Sequence, residues 1–185
     1  SPLSLGMLGM HGTAYANYAV MNSDLIIAIG ARFDDRITGR IDMFAPGAKV
    51  IHIDIDPASI SKNIQVDIPV VGDARRILTE LLKLVGPVDC KEWLAQIADW
   101  KDKHPLTYRK DGLKPQYVVE QIYEATRGDA IICTEVGQNQ MWAAQFFTYI
   151  KPNSFVSAGG LGTMGFELPA AMGVKLGCPE EMVWC

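Results

Sequence analysis

Five short stretches hold the residue types that could do chemistry. In Gly9-Met10-His11-Gly12-Thr13, glycines lead into a helical pattern, so backbone N–H groups at a helix start could receive an anion or the edge of a flavin ring. In Gly30-Ala31-Arg32-Phe33-Asp34-Asp35-Arg36, Gly30 permits close backbone approach, and Arg32 and Arg36 could pair with a phosphate or carboxylate. In Asp54-Ile55-Asp56-Pro57, Asp54 suits a ribose hydroxyl. Val136-Gly137-Gln138-Asn139-Gln140-Met141-Trp142 offers amide side chains and a helix start to phosphate oxygens. Gly160-Leu161-Gly162-Thr163-Met164-Gly165 matches G-x-G-x-x-G, a dinucleotide fingerprint when strand and helix flank it.

Each stretch also has a plainer reading. The acidic turns can be solvated, with Asp54 and Asp56 as caps. Residues 136–142 can be a capped helix with an aromatic anchor, and 160–165 a glycine turn needed for packing. On spacing alone both readings stay open. His11 alone is a weak catalytic candidate, His52 lies inside a strand run and reads as core, and His104 reads as a helix end. Three scattered histidines make no metal site.

The elements that must position these groups alternate in type. Apolar runs at Leu25–Ile29, Lys49–Asp54, Ile68–Val71, Ala130–Thr134 and Phe155–Ser157 read as strands, the first covered on both faces. Helices are expected over 13–22, from Asp73 to about Leu84, over 89–104 with Trp93, Ile97 and Trp100 as its stripe, from Pro115 to about Arg127, over 140–149, and from about Pro169. The fold class is α/β: parallel sheets with flanking helices and right-handed crossovers. In such sheets ligands sit outside the carboxyl ends of the strands, where the polar stretches fall.

Composition narrows the function. The 185 residues are 49% hydrophobic and 21% charged, ample for a core. With 17 Lys plus Arg against 21 Asp plus Glu the net charge is -4, which argues against nucleic acid as partner. No apolar run approaches a membrane span, and Ser1-Pro2-Leu3-Ser4 carries no charged leader. Cys90, Cys133, Cys178 and Cys185 form no C-x-x-C pair and read as reduced thiols, so a cytoplasmic protein is expected. The chain opens in loop sequence and stops as the apolar run at Val183-Trp184-Cys185 begins, so an internal piece of a longer enzyme is expected.

Taken in order, Gly6–Thr13, the Arg32-Phe33-Asp34-Asp35-Arg36 loop, His52–Pro57, the Gly137–Gln145 turn and Gly160–Gly165 resemble the acetolactate synthase (acetohydroxyacid synthase) family in its catalytic large subunit, over essentially the whole chain. The resemblance implies two incomplete domains: residues 1–86 as the later part of a central FAD-binding domain and 114–185 as the first part of a thiamine diphosphate-binding domain, joined by a helical linker over 87–113. It implies FAD contacts at Gly9, Met10, His11, Gly30, Arg32, Asp34, Arg36, Ile37, Asp54, Ile55 and Asp73. It implies thiamine diphosphate contacts at Val136, Gly137, Gln138 and Asn139, with Gly162 and Met164 under the aminopyrimidine. Asp35 and Arg36 resemble residues at the substrate channel.

The activity so implied decarboxylates pyruvate and transfers the hydroxyethyl unit to a second 2-keto acid, pyruvate or 2-ketobutyrate, in branched-chain amino acid biosynthesis. Thiamine diphosphate, Mg2+ and FAD are the implied cofactors, and a homodimer with a small regulatory subunit the implied assembly. The catalytic glutamate and the magnesium motif are expected outside this chain, which is expected to be inactive alone. Another thiamine-dependent decarboxylase or oxidase, or a non-catalytic nucleotide-binding module, are the alternatives. Two residues depart from the family pattern: Asn139 where many members have His, and Glu167 where Gly is common.

Overall fold

The computed structural model describes residues 3–185, and the chain divides after Pro105 into two compact units. In the first, Thr13 opens helix α1 (Ala14–Met21), its hydroxyl accepting from the Ala16 N–H at 3.2 Å. That bond satisfies a donor the first helical turn leaves unpaired. Strand β1 (Leu25–Ile29), the one-turn helix α2 (Asp35–Thr38), β2 (Lys49–Asp54) and β3 (Ile68–Val71) follow. The three strands are parallel in the order β1-β2-β3, with Leu25 opposite Lys49 and Ile51 opposite Ile68. Branched apolar side chains suit such pleated, part-buried positions.

The core of this sheet lies on one face. Ala28, Phe33, Val50 and Ile64 are buried together, with Ile26, Ala31, Phe44 and Val66 packed on them. Half of that cluster comes from the connections after β1 and β2, which fold back over the sheet. On the other face Leu25, Ile27 and Ile29 are 47%, 44% and 41% exposed. The expectation that β1 is covered on both faces is therefore corrected. A parallel strand gains its second cover from an element crossing the far face, and the connecting loops occupy only the near one.

Helix α3 (Ala74–Leu81) starts at Asp73, whose carboxylate accepts from the Arg76 N–H at 3.0 Å. Its end is looser than expected: the chain runs on to Leu84 through tighter turns such as Leu84 N–H to Leu81 O at 2.9 Å. Helix α4 (Lys91–Lys103) buries Ile97 and sets Trp93 edge-on to Trp100, ring centres 5.6 Å apart. Tyr18 of α1 lies 5.9 Å from the Trp100 ring and 5.1 Å from that of His104. Helix α4 thus packs on α1 within the first unit.

The second unit opens on α5 (Pro115–Thr126), with Pro115 at the first helical position, where its missing N–H costs nothing. Strand β4 (Ile131–Thr134), α6 (Gln138–Phe146), β5 (Phe155–Ser157), α7 (Glu167–Gly177) and β6 (Val183–Trp184) complete it. All three strands are parallel, in the order β5-β4-β6. Chain order reverses across β4: the crossover through α6 leads to one side of it and the crossover through α7 to the other. Right-handed connections of opposite direction lie on opposite faces. Ala130, Ile132, Ala143 and Phe147 form the buried core, with Tyr123 edge-on to Phe147 at 5.6 Å. Among the described residues no helix is long and apolar enough to cross a membrane.

Candidate functional site

In the first unit the carboxyl ends of the strands are tied side by side. Gly30 N–H donates to Ile53 O at 2.9 Å, and Gly72 N–H to Asp54 O at 2.9 Å. Gly30, Asp54 and Asp73, each expected from sequence, therefore share one edge. Asp54 accepts from the Asp56 N–H at 2.9 Å, which orients its carboxylate, and Asp56 in turn accepts from the Ala58 N–H at 2.9 Å. Gly30 has φ +61, and a Cβ there would meet nothing within 4 Å, so the backbone faces open space. An open groove of about 960 Å3 runs past Ile55 and Asp73, with Arg75, Arg76, Thr79 and Glu80 along it. The two arginines were missed in the sequence; the signal was their place in the first turn after a capping Asp at a strand end.

Loop 30–37 holds its own charges. Arg32 bonds Asp34 at 2.8 Å, and the Arg32 carbonyl accepts from Asn63 Nδ2 at 2.8 Å. Arg36 and Asp35 lie 3.4 Å apart with both side chains exposed. The second oxygen of Asp34 is buried without a partner among the described residues. The Gly9-Met10-His11 turn is brought against this loop: a Cβ at Gly9 would stand 2.3 Å from the Arg36 carbonyl and 2.8 Å from the Ile37 Cα. Asn17 pins Gly9 from behind, accepting from its N–H at 2.6 Å and donating to its carbonyl at 3.1 Å. His52 is fully buried, edge-on to Phe33 at 5.2 Å, with neither ring nitrogen hydrogen-bonded among the described residues. Its Nε2 stands 3.7 Å from Asp54, beyond hydrogen-bond reach.

In the second unit the site lies where β4 ends, the reversal point of the sheet and the usual place for a ligand crevice. Turn 135–139 follows β4, and loop 158–166 follows β5. They meet at Gly162, which has φ +72 and whose Cβ would touch Val136 Cγ2 at 4.0 Å. Helix α6 begins at Gln138, earlier than the expected 140–149, so Gln138 and Asn139 are exposed on its first turn. Gly137 caps that turn without a side chain, and a Cβ there would approach Asn139 Oδ1 to 3.0 Å. Met164 stands 74% exposed on the loop.

Two bonds clasp the turn to the start of α7 and a third clasps it to the loop. Glu167 Oε2 accepts from the Glu135 N–H at 3.3 Å and from Asn139 Nδ2 at 3.4 Å, while Glu135 Oε2 accepts from the Gly165 N–H at 2.5 Å. Behind them Gln140 Nε2 donates to Ser157 Oγ at 2.6 Å, and Thr134 Oγ1 donates to the same oxygen at 2.9 Å. Cys133, one residue before Thr134, has its thiol pushed up by burial, with Cys185 and Glu167 adding to the effect.

Residues 1–81 match the central domain of thiamine pyrophosphate enzymes, and residues 135–185 match the C-terminal TPP binding domain of the same enzymes. The chain belongs to the thiamine pyrophosphate enzyme family. It is 50% identical over 190 residues to an acetolactate synthase of Mycobacterium bovis, covering 98% of this chain and 31% of that one. It is 48% identical over 191 residues to the acetolactate synthase isozyme 3 large subunit of Escherichia coli, covering 98% and 33%. A chloroplastic acetolactate synthase of Nicotiana tabacum is 48% identical over 189 residues, covering 98% and 28%. The chain thus spans about a third of the length of the curated relatives it matches.

The residues fit the family's cofactor. A diphosphate needs donors at a helix start, and Gly137 leaves room for one to approach while Gln138 and Asn139 supply amides. The first edge likewise fits a dinucleotide such as FAD: open space at Gly30, an oriented Asp54 and an arginine-lined groove. Among the described residues no three His, Cys, Asp or Glu gather where they could hold a metal ion.

Proposed function

We propose that this chain supplies partial walls of two cofactor sites in an acetolactate synthase large subunit. The observation that carries the reading is the meeting of turn 135–139 and loop 158–166 at the reversal point of the second sheet, in a chain about 50% identical to acetolactate synthases over 98% of its length. Bound there, thiamine diphosphate supplies the carbanion chemistry that decarboxylates a 2-keto acid.

This chain's residues bind and orient. Val136, Gly137, Gln138 and Asn139 receive the diphosphate, Gly162 lets the backbone approach the ring, and Met164 packs beneath it as an unbranched, polarizable support. Gly9, Met10, His11, Gly30, Arg32, Asp34, Arg36 and Ile37 line the flavin side of an FAD site, with Asp54, Ile55 and Asp73 on the adenosine side. The substrates are pyruvate and a second pyruvate or 2-ketobutyrate. Mg2+ ligands and the group that activates the aminopyrimidine come from segments other than this one. Residues 1–86 and 114–185 serve as the two domain parts, joined through 87–113, in a homodimer with a regulatory subunit. Four free thiols support the reducing cytoplasm as compartment, although the tobacco relative is named chloroplastic.

The test is acetolactate formation from pyruvate by the intact protein, with and without thiamine diphosphate and Mg2+. Cofactor-dependent product is expected, and none from the 185-residue chain alone. Absence of cofactor-dependent product from the intact protein overturns the reading.

A further inference from the structure

We propose that Glu167 is a positioning residue for the diphosphate-binding turn. The inference rests on the function proposed above and concerns a side chain that it leaves without a role.

Glu167 is the first residue of α7, and an acidic side chain there would ordinarily serve its own helix, near the positive end of the dipole. Its hydrogen bonds go elsewhere. One carboxylate oxygen accepts from the Glu135 backbone at 3.3 Å and from the Asn139 amide at 3.4 Å, and neither partner belongs to α7. The return bond, Gly165 N–H to Glu135 at 2.5 Å, fastens the loop carrying Met164 to the same turn. Each acid therefore answers a backbone N–H of the other's segment. Each half-buried carboxylate thus has a hydrogen-bond donor from across the turn.

Two consequences follow for Asn139. With one amide hydrogen directed at Glu167, the side chain is held in a single orientation, its Oδ1 turned toward Gly137. The other amide hydrogen is left to face a phosphate oxygen. The Glu135 peptide is fixed as well, and with it the exit of β4. Reach, rather than charge, is the property that matters: an acceptor must extend from the α7 start across to the turn.

The test separates reach from charge in the intact protein. Glu167→Gln keeps the reach and a carbonyl acceptor but drops the charge. Glu167→Asp keeps the charge and withdraws the oxygens by a methylene. The KM for thiamine diphosphate is expected to rise about tenfold in Glu167→Asp, as for loss of a hydrogen bond to a charged group, and to stay within about threefold in Glu167→Gln. The kcat at saturating cofactor is expected to stay within about twofold in both.

Amide hydrogen exchange without cofactor gives an independent reading: the Glu135 N–H, whose acceptor is Glu167, should exchange about tenfold faster in Glu167→Asp than in the parent or in Glu167→Gln. An unchanged cofactor KM in Glu167→Asp, equal losses in both variants, or unaltered exchange overturns the inference. Should the parent show no cofactor-dependent turnover, the proposed function falls, and exchange alone decides whether the clasp exists.

Discussion

Gly9 and Gly30 allow backbone strain and steric crowding to be separated within one unit. Both have positive φ, +79 and +61, so alanine at either site meets the left-handed penalty of about 1–2 kcal/mol. Part of that is offset, by about 0.4–1 kcal/mol, because alanine also restricts the unfolded chain. Gly30→Ala is therefore expected to cost the first unit about 1 kcal/mol. Gly9→Ala carries a further burden, since its Cβ would stand 2.3 Å from the Arg36 carbonyl and 2.8 Å from the Ile37 Cα, both main-chain atoms that cannot rotate away. Forcing atoms into packed space costs about 1–3 kcal/mol more, giving about 2–4 kcal/mol in all. Because two units need not unfold together, the readout should be local: hydrogen exchange of the β1 and β2 amides under conditions where it reports opening free energy. Equal losses in the two variants would refute the reasoning, because they would leave no energetic signature of the contact between the Gly9 turn and loop 30–37.

Two further outcomes concern the second unit. Phe147→Ala removes a ring that is 4% exposed amid Ala130, Ile132 and Ala143, and should lower the opening free energy of the β4 amides by about 3–5 kcal/mol while leaving β1 unaffected. Tyr108 donates to Glu120 at 2.5 Å, and that bond, with burial, pushes its pKa from 10.0 up to about 12. A folded-state value raised above the unfolded one stabilises below pH 10 and is lost as pH climbs toward 12. The stability gap between the parent and Tyr108→Phe should thus narrow between those limits in pH-dependent unfolding; a gap constant across that range would contradict the assignment.

The strands were legible because branched apolar runs bounded by turn residues leave little choice: Leu25–Ile29, Lys49–Asp54 and Ile68–Val71 form as read. Helix α6 was less so. Its cap is Gly137, which signals nothing through a side chain, and Gln138 and Asn139 look like turn residues until the backbone shows them in a first turn. Helix α7 starts at Glu167 rather than near Pro169 because proline is tolerated throughout a first turn, not only at its opening position. The exposed face of β1 was not legible at all, since a continuous apolar run does not say which of its sides a given stretch of chain will cover. In the site, single residues were readable by type and place. What escaped was their pairing: Gly9 against Arg36, and the crossed bonds of Glu135 and Glu167, join positions that no short-range pattern relates.

The strand order of the second sheet also bears on the moment at which the crevice comes into being. Strand β4 pairs on one flank with β5, made shortly afterwards, but on the other with β6, whose Val183 lies opposite Ile131 across some fifty intervening residues. Emerging from a ribosome, β4 must wait with one edge bare until that last partner arrives, and closing so distant a contact is the slow part of assembling a parallel sheet. The cleft above β4 is therefore complete only once β6 has been made, and a nascent chain stalled before β6 would present that bare edge to any neighbouring strand.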